Sequence, residues 1–242
     1  MIPVQNLLFA IDTKANRLSN LRGQFIPNET KIDLLNKAQV KLVLKKIDPN
    51  NVYQLGMDAF SKRYEDLQNF QVTYEKLTLT ATPGDVLNSY FVPFSSMSND
   101  MMIPTTSYVL ATKGNCKDRL LDVIDFMKHA DIRMLLKSPH YQPSFNYQET
   151  LGVISADKIY VYSDSQNSFT PNELYLSYLR YPKDMDITGY VHLDGTLSTT
   201  VDCELESYLE DELVDLVVTE LGDATANQEL SQYSRVRTKE NE

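Results

Sequence analysis

The 242-residue sequence predicts an α+β fold: helices at the N terminus, a central and mainly antiparallel sheet region, and a long acidic C-terminal helix. Three observations predict it. Apolar residues recur at spacings of three and four within residues 3–47 and again within 203–221, which is the helical period. Between about residues 70 and 180 the pattern shortens to short apolar and alternating runs, punctuated by turn pairs such as Pro83-Gly84 and Gly114-Asn115. No internal repeat and no low-complexity linker interrupts the chain, and a composition of 42% hydrophobic and 23% charged residues suits a packed core.

The elements follow in order. Residues 3–18 place Leu7, Leu8, Ile11, Ala15 and Leu18 on one helical face, and Pro3 suits a first turn. After a break at 19–27, Asn28 reads as an N-cap and a second helix runs to about Ile47. Its apolar positions Ile32, Leu35, Val40, Val43 and Ile47 fit the period loosely. Leu34, Ala38, Leu42 and Leu44 widen the stripe, so the helix is expected to be covered on more than one side. Lys41, Lys45 and Lys46 close it in favourable positions for the helix dipole. Residues 54–66 suggest a short helix.

Strands are expected near 70–81, 106–112, 117–127, 149–154, 157–163 and 172–180, in a sheet of five or six strands, with a short apolar segment at 89–94 ended by a proline and a helix at 128–138. Arg180-Tyr181-Pro182 ends the last strand, because proline cannot continue a hydrogen-bonded ladder and restricts the residue before it. A loop then crosses to a helix over 203–221. There Leu205, Leu209, Leu213, Leu216, Val217 and Leu221 form a stripe, Asp202 reads as the N-cap and Gly222 as the residue just past the end. The expected organisation is a helical part at 1–69, a β-rich part at 70–200, and a C-terminal helix with a polar tail at 201–242, the helical parts packing together.

The net charge of −10 and pI near 4.8 argue against a general nucleic-acid binder. Cations outnumber acids up to residue 46, whereas 202–223 hold acids and no bases. Two helical faces of opposite sign could therefore attract each other between copies of the chain, or each could be an ordinary solvated face. No window is apolar enough for a membrane span, and the start lacks the basic region of a signal peptide. Cys116 and Cys203 are read as reduced thiols.

Motifs for chemistry are scarce. The sequence has no G-x-S-x-G, H-E-x-x-H, P-loop or G-x-G-x-x-G. His129, His140 and His192 show no metal-ligand spacing and are read as satisfied or exposed. No catalytic residue, cofactor or metal is expected. The 15 tyrosines, among them Tyr160, Tyr162, Tyr175, Tyr178 and Tyr181, suit either an ordinary sheet face or an interface.

The order of segments carries a resemblance. A helix with an L-L-N-x-A-Q core at 34–39 precedes the sheet region, followed by "LLKSPHYQPSF" at 135–145, "DKIYVYSD", "LYLSYLRYPKDMDI" and the acidic helix "CELESYLEDELVDLVVTELGDATANQ". Over most of its length the chain resembles head-to-tail connector (adaptor or ring) subunits of tailed bacteriophages, of the short-tailed crAss-like type. The "Y-L-R-Y-P-K" corner and the E-L-V-D-L-V-V helix are its most specific parts. The resemblance implies a non-enzymatic virion protein made in the bacterial host cytoplasm. Its copies would form a ring, of dodecameric symmetry, between the portal protein and other connector or tail rings. The ring would line part of a channel through which double-stranded DNA passes without sequence-specific binding. Lys41, Lys45, Lys46, Glu210, Asp211, Tyr181, Arg235 and Arg237 are the expected interface residues. The competing reading is a tail module that binds a receptor or carbohydrate.

Overall fold

The computed structural model of the chain describes residues 1–18, 26–47, 66–82, 88–164, 166–192 and 195–224. Their elements, in chain order, are helices α1 (Val4–Leu18) and α2 (Asn28–Ile47) and strands β1 (Gln71–Thr78), β2 (Thr80–Ala81), β3 (Ser89–Pro93), β4 (Met101–Thr112) and β5 (Arg119–Met127). Helix α3 (Ile132–Lys137), strands β6 (Glu149–Ser155), β7 (Lys158–Tyr162) and β8 (Thr170–Arg180), and helix α4 (Glu210–Ala224) complete them. The fold is α+β. The chain divides into two compact units: Met1–Asn69 together with Pro182–Glu242, and Phe70–Tyr181. The segment 182–200, assigned from sequence to the β-rich part, thus belongs with the helices.

In the helical unit, α4 packs against both α1 and α2. Its buried stripe is Leu209, Leu213, Val214, Val217, Val218 and Leu221. The buried face of α2 is Lys31, Ile32, Leu35, Ala38, Gln39, Leu42, Val43 and Lys46, which follows the helical period closely. Its apolar pattern looked loose because three of those buried positions are polar. Ion pairs from Lys41 to Glu220 and from Lys45 to Glu212 show that α2 and α4 run antiparallel.

The C-terminal helix begins later than its sequence suggests. Residues 203–206 are not helical, a short 3₁₀ turn occupies Ser207–Leu209, and α4 starts at Glu210. Tertiary pairing overrides the local preference. Cys203 and Ile2 exchange both backbone hydrogen bonds at 3.0 Å, and the buried Glu204 carboxylate accepts the Lys183 N–H at 3.1 Å. Asp202 does cap a helix, but a different one: its Oδ1 accepts the Val4 N–H of α1 at 3.0 Å. Gly222 lies inside α4 and is buried, so it does not end the helix. The Pro27 carbonyl accepts the Lys31 N–H at 3.3 Å, which moves the start of α2 one residue ahead of the expected cap at Asn28. The helix suggested at 54–66 falls almost wholly outside the described residues.

The β unit holds more strands than expected, in the order β1-β8-β4-β5-β6-β7-β3-β2. The two ends of that order are consecutive pieces of one strand. β1 pairs with β8 up to Thr78, the Leu79 N–H still donates to the Asn172 carbonyl at 2.9 Å, and β2 then pairs with β3. The sheet therefore closes on itself, so that neither end of the strand order is left as an edge strand. Leu77, Leu79, Tyr90, Val92, Val109, Ile159, Val161, Leu174, Leu176 and Tyr178 form one buried cluster, mostly at every second residue of their strands.

Every pairing is antiparallel except β5 with β6. Those two are joined by a crossover carrying α3, as a parallel pair requires. Ile132 and Leu136 of α3 pack on Leu151, Val153 and Tyr162. Pro104 is accepted within β4 because β5 pairs only with residues 108–111, leaving Pro104 a neighbour on one side. β8 ends at Arg180, whose guanidinium lies 5.6 Å from the centre of the Phe70 ring and donates to the Tyr181 carbonyl at 3.2 Å. Pro182 then opens the second half of the helical unit.

Candidate functional site

Three constructions in the helical unit organise its chemistry. The first is the ionic seam between helices. Lys14 of α1 reaches Asp211 at 3.1 Å and Asp215 at 2.9 Å, and Lys41 pairs with Glu220. Buried Lys46 lies 2.9 Å from Glu212 and 3.6 Å from Asp66, while Lys45 lies 3.5 Å from Glu212. Tyr208 donates to Asp66, so this buried group of charges is hydrogen-bonded throughout. Burial opposes the charge on Lys14, but its hydrogen bonds to Asp215 and Asp211 outweigh burial and raise its pKa. Buried Lys31 pairs with Asp12 of α1 at 2.6 Å.

The second is a clamp on the extended segment that follows Pro182. The Asn36 side chain accepts the Met185 N–H at 2.8 Å and donates to the Met185 carbonyl at 3.1 Å, imitating a strand neighbour. Gln39 donates to the Lys183 carbonyl at 3.4 Å and faces the Cys203 thiol at 3.6 Å. Burial pushes that thiol up to about 11, so it stays protonated at neutral pH. The asparagine and glutamine of L-L-N-x-A-Q are thus backbone holders for the P-K-D-M stretch.

The third is an excursion, described over 186–192 and 195–201, with isolated bridges Asp186–Val201 and Val191–Leu197. Asp186 organises it. Its carboxylate accepts Tyr190 Oη at 2.5 Å, the Ile187 N–H at 2.8 Å and the Thr199 N–H at 2.9 Å, and meets His192 Nε2 at 3.1 Å. Partial burial would raise its pKa, but the hydrogen bonds from Tyr190, Thr199, Ile187 and His192 together lower it. Partial burial and the bond to Asp186 push the Tyr190 phenol up to about 12. Ser198 Oγ accepts the Gly189 and Tyr190 N–H groups at 3.1 Å and donates to the Tyr190 carbonyl at 2.7 Å. Beside the excursion lies an open groove of about 780 Å³, lined by Glu29, Asp33, Asp184, Asp186 and His192 over Ile32, Met185 and Val201. Val191 and Leu197 remain 58% and 77% exposed.

The β unit offers different surfaces. Tyr74, Tyr108 and Tyr175 line its outer face, Tyr74 and Tyr108 with ring centres 6.1 Å apart. Tyr178 and Tyr162 are buried, and the Tyr178 hydroxyl donates to Glu75 at 2.6 Å. The β4–β5 turn carries Lys113, Lys117 and Arg119 with the exposed thiol of Cys116.

Of the expected interface residues, Lys41, Lys45, Lys46 and Asp211 each have a partner inside the chain, while the side chains of Lys41 and Asp211 remain exposed. The opposite charges of α2 and α4 attract because both helices belong to one core. Glu210 is the first residue of α4, and Tyr181 is 47% exposed. Arg235 and Arg237 lie outside the described residues. Sequence reasoning missed Asn36, Gln39 and the Asp186 cluster. The glycines at 189 and 195 around an alternating Tyr-Val-His run were the available signal for the excursion. Among the described residues, no group of three or more His, Cys, Asp or Glu side chains is placed to hold a metal ion. Compared with known proteins, the chain matches no family model and no curated protein.

Proposed function

We propose that the chain is a structural subunit of a tailed-phage virion, forming a ring in the head-to-tail connector between portal and tail and bordering the DNA exit channel. The observation that carries this reading is that three of the segments behind the resemblance meet in the helical unit. L-L-N-x-A-Q holds the backbone after the Y-L-R-Y-P-K corner, and the E-L-V-D-L-V-V helix packs on the same α2. Short motifs scattered over 180 residues, each degenerate alone, are physically one arrangement, so their order is tied to architecture. A ring needs two unlike surfaces on each subunit. Here one unit exposes an aromatic outer face, and the other an acidic groove with an apolar tip. Those surfaces, with the basic β4–β5 turn, are available for assembly.

The open groove favours a second reading, a tail module that binds a glycan or receptor, because carboxylates and a tyrosine beside an apolar floor suit a sugar. Imaging of intact particles decides between them. The connector reading expects this chain in a closed ring at one capsid vertex. Finding it at the periphery of the tail, or in no ring, overturns that reading.

A further inference from the structure

We infer that the groove beside the 186–201 excursion is the docking site for the β4–β5 turn of a second copy of this chain. The inference rests on the ring reading above and names its contact. The acceptor surface joins two features. Val191 and Leu197, bridged across the excursion, leave their apolar side chains in solvent, although the backbone that carries them is fixed by Ser198 and by the four donors on Asp186. An exposed apolar pair on hydrogen-bonded backbone suits an interface because less ordering is required on docking. Below it, Glu29, Asp33, Asp184 and Asp186 line the groove, with Lys37 offsetting Asp33 at 2.6 Å.

The ligand therefore has to bring cations and an apolar group on a compact element. The β4–β5 turn does so. Lys113, Lys117 and Arg119 stand against a single acid, Asp118, and Leu120 beside them is 53% exposed. Lys113 and Arg119 lie 5.9 Å and 5.2 Å from the centre of the Phe145 ring, which steadies the hairpin. Donor and acceptor are different surfaces, so the contact is head-to-tail and propagates, as a ring requires.

Cys116 sits in the donor turn and provides the test, since the other cysteine, Cys203, is buried with a raised pKa and stays silent to thiol reagents at neutral pH. The purified full chain carrying Asp184→Cys is treated with a short bismaleimide and run on a denaturing gel. A head-to-tail contact joins Cys116 of one copy to the new thiol of the next and gives a ladder beyond the dimer. Removing Cys116 in the same variant abolishes the ladder. Glu29→Cys, where α2 lines the groove, repeats the test should Asp184→Cys misfold. Products that stop at the dimer, or none in either variant, overturn the inference. Rings seen in virions alongside that negative result leave the proposed function standing, whereas their absence removes both.

Discussion

At Asp186 a single carboxylate holds a loop. Two backbone N–H groups, a tyrosine hydroxyl and a histidine converge on it, and hydrogen bonds to a charged acceptor contribute about 1.5–3 kcal/mol each net of the water bonds they replace. We expect Asp186→Ala to loosen residues 186–201 by about 2 kcal/mol. Amide exchange at Ile187 and Thr199 should quicken while α2 and α4 stay protected. The pH dependence follows from the lowered pKa. A carboxylate depressed in the folded state contributes stability that is fully present above its unfolded value, about 3.9, and is lost as pH falls through the folded value. Protection of Thr199 should therefore hold at neutral pH and fail only below about pH 4, before or without global unfolding. The two ends of the ionic seam should respond differently. Removing one member of a buried pair strands the other, so Lys46→Ala should cost about 3–5 kcal/mol in chemical denaturation. Lys41→Ala, at an exposed pair, should cost less than about 1 kcal/mol. Equal losses at both sites would contradict the burial of Lys46.

At the scale of elements, the β5–β6–β7 region makes paired predictions of opposite sign. Gly152 in β6 faces a register shift in β5 between Val123 and Phe126, and a Cβ there would lie 2.8 Å from Val123 Cγ1 and 3.0 Å from the Phe126 ring. Gly152→Ala should destabilise by about 1–3 kcal/mol, because the crowding atoms belong to branched or ring side chains with little room to turn. Ala156 sits in the two-residue turn between paired Ser155 and Lys158, with φ of 53°. A residue with a Cβ is strained there by roughly 1–2 kcal/mol. Ala156→Gly should therefore raise the melting temperature despite the greater freedom it gives the unfolded chain. Thermal melts of the two single variants, monitored in the far ultraviolet, check both signs. The same scale explains α2. Its sequence is weakly amphipathic since Asn36, Gln39 and Lys46 spend their polarity on a backbone segment and on Glu212, contacts that hydropathy along the helix does not encode.

For the molecule as a whole, the insertion of one unit in the other has a consequence for folding. Phe70 and Arg180 meet at the ends of the β unit, and Gln71 pairs with Leu179, so its termini are adjacent. Its core is also its own. We expect the fragment 70–181 to fold cooperatively when expressed alone, with dispersed amide resonances and a single unfolding transition. The helical unit draws on both chain ends, through Ile2 with Cys203 and Asp202 with Val4, so neither 1–69 nor 182–242 should fold by itself. A molten 70–181 fragment would contradict this division.

Period-two and period-3.6 patterns, with turn residues between them, were enough to determine the α+β class, the positions of most strands and the two longest N-terminal helices. Those features arise from local sterics and from which face must leave water, and both are written in neighbouring residues. Proline after Arg180 determined where the last strand stops for the same reason. Tertiary structure alone decided that β1 and β2 close the sheet, that β5 and β6 run parallel, and that Asp202 caps the first helix while residues 203–206 stay out of the last one. It also decided that the lysines of α2 spend their charge within the chain. Most of these depend on a partner distant in sequence, and the energy of burying or pairing a group with such a partner outweighs the tenths of a kilocalorie by which local sequence prefers one conformation over another.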